Sequence, residues 1–482
     1  MAGTLKTTKT KISLGQVVNM DRNISQTKSK TSIYSDLMIE DFSFKYELGT
    51  ATSKSSYEAI LKTLPCYFNW NLEESTDEAL HTMIGCAEEN LVSNTELTLV
   101  AHKTMLGYLH VTQIRRMEDR DQFAALSWFE DALSDNQLDI DNCSDNDGPL
   151  GDRLILLGNI AWVYFMLGRM DMVDKTLQNI TQVFDVQLNE SQKAFVYGHQ
   201  GIAFTYFLKK TCDIGIACFN RALSVFPCHT DWLYWSGYNL YFEKHRLYGE
   251  PLSTDASSVL DREETLHKHV LENNSNHCFA KAMLASLFCD REQYDDAESI
   301  IDALKLNRTL PTVACLAAAV YVGLHKFQMS IKVLEQALEA WPNNTYLLCF
   351  IGDAYKERYA NESELDIEQN YLKKAIQYYD KAIKVANGHL PWASRGKEKV
   401  LIAMGNMAEA HRLYLFDINT NRDPYWISVA YFELGEFCEQ HLEQYSEALK
   451  YYQLAIDQGT QYWCAKRAAR GISRLKDHLH KP

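Results

Sequence analysis

The stretch Leu372–Val385, LKKAIQYYDKAIKV, places Ala375, Tyr379 and Ala382 four and three positions apart. That spacing puts all three on one face of a helix, with a small residue on either side of a large aromatic. The same small, large, small order recurs as Ala125, Phe129 and Ala132 in FAALSWFEDAL, and as Ser330, Leu334 and Ala337 in MSIKVLEQAL. It recurs again as Ala448, Tyr452 and Ala455 in YSEALKYYQLAI. Upstream segments supply a further small residue at Gly107, Ala203, Ala318, Gly352 and Gly435, with Tyr206, Tyr321 and Tyr355 three positions after the middle three. Pro227 and Pro342 each stand five residues after the last Ala of a unit, where a helix has to stop.

Repetition at matched offsets is the pattern of tetratricopeptide helix pairs, in which small residues let antiparallel helices approach and aromatics fill the gaps. About eight units cover residues 55–458, with weaker matches at 280–305, through Ala285, Phe288 and Ala297, and at 392–418. The fold class expected is therefore all-α, a tetratricopeptide (TPR) helix-turn-helix superhelix. Two intervals are long: Gly107 to Ala125 spans 18 positions and Gly352 to Ala375 spans 23, so longer helices or inserted loops are expected there. The organisation read from this pattern is a basic extension at 1–54, then TPR subdomains at 55–248, 249–386 and 387–482, the last ending in a basic helix. The Lys, Thr and Ser content of the extension argues against order.

The 482 residues are 46% apolar, 12% aromatic and 23% charged, which excludes fibrous, collagen-like and wholly disordered chains. The net charge of −15 is uneven: residues 1–32 and 460–482 are each +5, leaving −25 for the body. Such a surface disfavours indiscriminate binding to nucleic acid or anionic membrane, while leaving room for a local basic groove. The most apolar stretches, 154–168 and 312–324, fall short of the roughly 20 residues that span a bilayer. The opening MAGTLKTTKTKISLG has no apolar core, so a non-secreted protein is expected. A transit peptide is the alternative, with Lys and Thr standing where Arg is usual. The twelve cysteines contain no C-x-x-C pair and lie mostly in apolar helical contexts, Cys218 and Cys315 among them, as reduced core thiols would.

Catalytic signatures are missing: there is no P-loop, no G-x-S-x-G elbow, no H-E-x-x-H and no dinucleotide-binding glycine fingerprint. No enzyme and no cofactor are expected. The close pairs His267 with His269 and His478 with His480 are two apart, on different helix faces, and read as surface or capping residues. Segment 136–152, NQLDIDNCSDNDGPLGD, mimics a calcium loop but puts Cys143 at the first ligand position and Leu154 where a bidentate Glu belongs, so it reads as a solvated linker.

At residues 64–71, LPCYFNWN, and 156–169, LLGNIAWVYFMLGR, the chain resembles the interferon-induced proteins with tetratricopeptide repeats, the IFIT family. The matching residues are Cys66, Phe68 and Trp70, then Gly158, Asn159, Ala161, Trp162, Tyr164, Gly168 and Arg169. Further likeness follows in order at Gly201–Leu223, at Gly237 and Tyr238, at IGDAYK (351–356) and across residues 431–456, roughly from Ser55 to the end. The chain differs in its basic N-terminal extension and in stopping before the last helices of longer members. The resemblance implies a superhelix with a central channel, cytoplasmic location and a role in antiviral innate immunity. It also implies that the channel holds the 5′ end of foreign RNA, triphosphorylated or lacking cap methylation, with sequestration in place of cleavage.

The family's pocket is altered here. A Trp and a Lys of RNA-binding members become Ile202 and Tyr206, an Arg and a Lys become Cys315 and Ala319, and a His-Gln pair becomes Cys349 and Phe350. The family's first-repeat polar residues fall near Gly85 to Asn90. Lys244, six residues after Tyr238, keeps the charge of a family Arg. Phosphates entering a low-dielectric cavity need paired cations. Candidate RNA contacts are therefore Lys209 and Lys210; Lys244 with His245 and Arg246; Lys356 and Arg358; and the aromatics Tyr206, Tyr241 and Phe242. At the C-terminal end Arg467, Arg470 and Arg474, with Lys466 adjacent, form a helical stripe suited to salt-sensitive phosphate contacts or to the polar outer face of a capping helix. Two functions stay open at this level. One is RNA binding; the other is a scaffold for protein partners or another copy of the chain. No membrane partner is expected.

Overall fold

The computed structural model of the chain describes residues 46, 51–70, 72, 83–84, 87–88, 91, 99–117, 122–142, 148–184, 187–247, 254–304, 310–361, 365–386, 388, 390–421, 424–459 and 463–479. Among them the regular structure is helical, with no strand. The chain divides into two compact units, one formed by Met1–Glu73 and Thr95–Leu240, the other by Glu74–Asn94 and Tyr241–Pro482.

The first unit holds α1 (Lys54–Leu61), a 3-10 turn at Tyr67–Asn69, α2 (Leu99–Met117), α3 (Gln122–Asn142), α4 (Gly148–Met166), α5 (Met170–Val183), α6 (Glu190–Tyr206), α7 (Leu208–Val225) and most of α8 (Thr230–Leu247). Consecutive helices pack as pairs, α2 on α3, α4 on α5 and α6 on α7, and successive pairs stack through α4 and α6. In the first and third of these pairs a glycine makes the close approach possible. A Cβ on Gly107 would lie 2.7 Å from the Phe129 ring of α3, and one on Gly201 would lie 2.8 Å from the Phe219 ring of α7. In the α6/α7 pair the small residue against the aromatic is thus Gly201, with Ala203 also buried but two positions on.

The two most distinctive sequence strings meet in this unit. Asn159 of α4 accepts a hydrogen bond from the Tyr67 backbone N–H at 3.1 Å and donates to the Ile155 carbonyl at 2.9 Å. Gly158 leaves room for Cys66, whose Cβ stands 3.1 Å from where a glycine side chain would begin. Gly168, at φ +72°, closes α4 in the left-handed conformation that glycine adopts without strain and turns the chain into α5. Segment 136–152 departs from the linker expectation: α3 continues to Asn142 and α4 begins at Gly148. The reason is burial, since Asn136 is enclosed and donates to the Pro149 carbonyl at 2.8 Å. Residues 143–147 lie outside the described residues.

The second unit continues with α9 (Thr254–Asn273), α10 (Cys278–Asp290), α11 (Tyr294–Ala303), α12 (Pro311–Gly323), α13 (Phe327–Ala340), α14 (Thr345–Asn361), α15 (Leu365–Val385), α16 (Pro391–Ala403), α17 (Met407–Thr420), α18 (Pro424–Gln440), α19 (Tyr445–Asp457) and α20 (Trp463–Leu479). Helices α7 and α13 stop two residues before Pro227 and Pro342. The long intervals in sequence are long helices, 19 and 21 residues in α2 and α3, 17 and 21 in α14 and α15, against 13 and 14 in α12 and α13. In this unit an aromatic serves two neighbours at once. The buried Tyr379 of α15 is wedged between Gly352 of α14 and Gly396 of α16, and Tyr452 of α19 between Gly435 of α18 and Gly471 of α20. His267, expected at the surface, is fully buried on α9 because its helix turns that face inward with Glu263 and Leu266. His478 and His480 lie outside the residues whose side chains are described.

Three carboxyl groups are buried together where α16, α17 and α18 pack: Glu398, Asp417 and Glu433. Arg395 grips Glu433 with two hydrogen bonds of 2.8 and 2.6 Å, so Glu433 is held below the usual carboxylate range despite its burial. Neither oxygen of Glu398 has a hydrogen-bond partner among the described residues. Burial, then the charges of Asp417 and Glu433, push Glu398 well above its ordinary value. A carboxyl raised in the fold contributes its stability below the unfolded pKa and loses it as pH rises through the folded one. Glu398→Gln is therefore expected to leave thermal stability unchanged near pH 4 and to raise it at pH 7 to 8, read by melting curves across pH. Equal melting temperatures of the two proteins at pH 8 would show that Glu398 is solvated.

Candidate nucleic-acid interface

Of the cations proposed from the sequence, Lys356, Arg358 and Arg474 sit among partners on their own or nearby helices. Lys356 of α14 pairs with Asp353, one turn earlier, at 2.7 Å, and lies 3.6 Å from Glu357. Arg358 donates to Gln328 at 2.6 Å and lies over the Tyr371 ring at 4.4 Å. Arg474 of α20 makes a two-pronged contact with Glu439 of α18 at 3.0 and 2.7 Å, and Glu439 also accepts from the Tyr452 hydroxyl at 2.6 Å. That carboxylate ties α18, α19 and α20 together, held ionised by Arg474 and Tyr452 against its partial burial. Arg467 is exposed and lies over Trp463 at 5.7 Å, and Arg470 and Lys466 are exposed on the same helix. The opposite side of α20 buries Cys464, Ala468 and Leu475. The C-terminal stripe is thus the exposed polar face of α20, with Arg474 neutralised by Glu439.

Tyr206 ends α6 with its hydroxyl 2.8 Å from Nδ1 of His102, a fully buried residue of α2. Burial and the neighbouring His199 hold the His102 imidazole down to about 3, so it is neutral at physiological pH and the Tyr206 contact is an uncharged hydrogen bond. His199 in turn meets Asp152 of α4 at 3.0 Å. Tyr206 therefore joins an interior polar and aromatic cluster of the first unit, which also holds Trp235 at 5.5 Å from His102. Tyr241 belongs to the second unit and is partly buried, its hydroxyl pushed up mainly by desolvation. The side chains of Lys209, Lys210, Phe242, Lys244, His245 and Arg246 lie outside the described residues, as do Gly85, Cys86 and residues 89–90 of the first-repeat polar segment.

Other cations, passed over in the sequence, are uncommitted. Lys373, Lys381 and Lys384 are exposed on α15 and make no ion pair or hydrogen bond among the described residues. The signal was present in LKKAIQYYDKAIKV, whose spacing marks Lys373, Gln377, Lys381 and Lys384 as one face opposite the Ala375, Tyr379, Ala382 face. A shallow hollow of about 320 Å³ on the first unit, lined by Glu190, Lys193, Tyr197 and Arg221, offers less. Its Lys193 is paired with Glu190 at 2.9 Å, and its Arg221 donates to the Tyr197 hydroxyl at 3.0 Å. Among the described residues no group of three or more His, Cys, Asp or Glu is placed to hold a metal ion, and no helix is long and apolar enough to cross a membrane.

Residues 261–394 match the family model described as Tetratricopeptide Repeats-Sensor. The interferon-induced protein with tetratricopeptide repeats 2 of Cricetulus griseus is 25% identical over 345 residues, covering 69% of this chain and 68% of the relative. Its Homo sapiens counterpart is 23% identical over 372 residues, covering 75% and 72%. The chain is similar to IFIT proteins over about 70% of its length. Among solved structures, the human IFIT1 dimer with m7Gppp-AAAA is similar at a TM-score of 0.68 and 18% identity, covering 87% of this chain and 90% of that one. The human IFIT1 dimer with PPP-AAAA is similar at 0.65 and 18%, covering 87% and 89%. These two likenesses establish the tetratricopeptide fold.

Proposed function

We propose that the protein is a noncatalytic antiviral effector of the IFIT type that works in the cytoplasm by binding RNA. The observation that carries this reading is the likeness to interferon-induced relatives over about 70% of the chain, on the fold that in human IFIT1 holds triphosphorylated and capped RNA. Sequestration asks for binding alone, and Lys244 keeps the sign of the family's pocket Arg at its position. A second reading, a scaffold for protein partners or for further copies of the chain, is favoured by the engagement of Lys356, Arg358 and Arg474 in packing.

Binding of the full chain to one RNA sequence carrying a 5′-triphosphate, a cap or a 5′-hydroxyl, across a salt series, separates the two. A preference for one end that weakens in Lys244→Glu supports end recognition. Equal, low-salt binding of all three would assign the affinity to diffuse charge and overturn end recognition. Absence of binding would leave the scaffold reading.

A further inference from the structure

We propose that the exposed face of α15, carrying Lys373, Lys381 and Lys384, binds the phosphate backbone of RNA beyond the 5′ end; the proposal rests on the RNA-binding reading above. The observation behind it is a row of exposed lysines on one face of a single helix, none of them paired with an acid among the described residues. Some exposed cations elsewhere are neutralised locally, Lys62 by Glu58 at 2.8 Å, Arg412 by Glu409 at 2.8 Å and Lys450 by Glu447 at 3.5 Å. On α15 the acid that falls within the stripe, Asp380, is taken by Lys397 of α16 at 2.7 Å, and Lys373, Lys381 and Lys384 are left without partners among the described residues. The adjacent Lys374 lies over Tyr355 at 5.2 Å and belongs to the packing between α14 and α15.

The steps from Lys373 to Gln377, Lys381 and Lys384 are four, four and three, so the side chains form a single file about 16 Å long at the helical rise. That length matches roughly five nucleotides of a stacked strand, taking about 3.4 Å per phosphate along one strand. An evenly charged linear polyanion fits a file of point charges interrupted by one hydrogen-bonding amide. A membrane surface fits it poorly, because the stripe has no apolar side chain to enter the lipid. Lys384 stands in the last turn of α15, where the carbonyl ends of the helix favour a cation, but Lys373, in the first half of the helix, has no such stabilisation. An unpaired cation that does not serve the fold remains available to phosphate. Such contacts add length-dependent affinity without reading sequence or end chemistry.

The test compares the full chain with two triple variants of equal net charge. One is Lys373→Gln, Lys381→Gln, Lys384→Gln; the other is Lys62→Gln, Arg412→Gln, Lys450→Gln, which removes cations already paired. Gln is a comparable helix former, so both are expected to fold, as circular dichroism would verify. The probes are oligoadenylates of about 4 and about 20 nucleotides with the same 5′ group, titrated between about 50 and 200 mM salt. The α15 variant is expected to flatten the plot of log affinity against log salt by about 2 for the long probe, from about 0.7 per single-strand contact. That change shrinks the wild-type advantage by about 15- to 20-fold across the salt range. The short probe and the control variant are expected to be unaffected. Equal slopes for the wild type and the α15 variant, or equal changes in both variants, would overturn the assignment while leaving end recognition intact. Failure of the wild type to bind either probe would overturn both.

Discussion

Replacement of Tyr379 by alanine is expected to destabilise the second unit by about 3–5 kcal/mol, the range for deleting a fully enclosed aromatic. The side chain fills the space that two helices leave open: a Cβ at Gly352 would lie 2.6 Å from the ring and one at Gly396 2.4 Å. Its hydroxyl also donates to Asp353 at 2.8 Å. The converse substitution, Gly396→Ala, is expected to cost about 1–3 kcal/mol by overpacking, although alanine is the better helix former by about 1 kcal/mol. The two effects are coupled. In the Tyr379→Ala background the clash is gone, and Gly396→Ala should become neutral or stabilising. Urea unfolding of the four proteins of this cycle measures the coupling directly. Equal costs of Gly396→Ala in both backgrounds would mean that Tyr379 does not set the spacing of α14 and α16.

Arg395→Met is the second large effect, about 3 kcal/mol of lost stability, because it strands Glu433 inside the α16–α18 packing with only Lys399 left at 3.6 Å. Methionine keeps most of the volume of the arginine stem, so the loss is chiefly electrostatic. In the parent protein Glu433 is held low by Arg395 and contributes stability above its unfolded pKa, which is lost as pH falls through the folded value. In the variant, burial pushes the same carboxyl the other way. Its contribution is then present at low pH and lost on ionisation, so stability of the variant should rise between pH 7 and pH 5. Adding Glu433→Gln should recover most of the loss at neutral pH, since removing both members of a buried pair is tolerated far better than removing one. A pH profile of unfolding free energy for the three proteins checks the sign; a flat profile in Arg395→Met would show water reaching Glu433.

Gly352, Tyr379, Gly435 and Tyr452 were legible because each stands at a repeat position of its own helix, even across the long interval from Gly352 to Ala375, and the helix ends before Pro227 and Pro342 were legible because proline stops a helix. Gly396 and Gly471 were not, because they belong to the following repeat and enter only when successive pairs stack. Gly201 was displaced by Ala203 since both are small and only packing decides between them. Charge partners divide in the same way. Asp353, three residues before Lys356, could be read as a neighbour on one helix, whereas Glu439 reaches Arg474 from 35 positions away. The α15 lysines stood in the stretch that revealed the fold, hidden by its usefulness for the core. Their isolation depends on Asp380 turning to Lys397, a choice made by the neighbouring helix.

The tyrosine shared by two glycines also governs how the second unit moves. To separate α14 from α15, Tyr379 has to leave Gly352, and a ring that rocks away from Gly352 presses on Gly396. Adjacent repeats therefore lack independent breathing: amide hydrogens along α14, α15 and α16 are expected to exchange with solvent as one block, and those of α18, α19 and α20 as another. A repeat array is usually pictured as a stack of separable plates. Here each tyrosine acts as a dowel through two of them, so fluctuations arrive in pairs of repeats, and slow exchange should extend to α20 at the end of the described array.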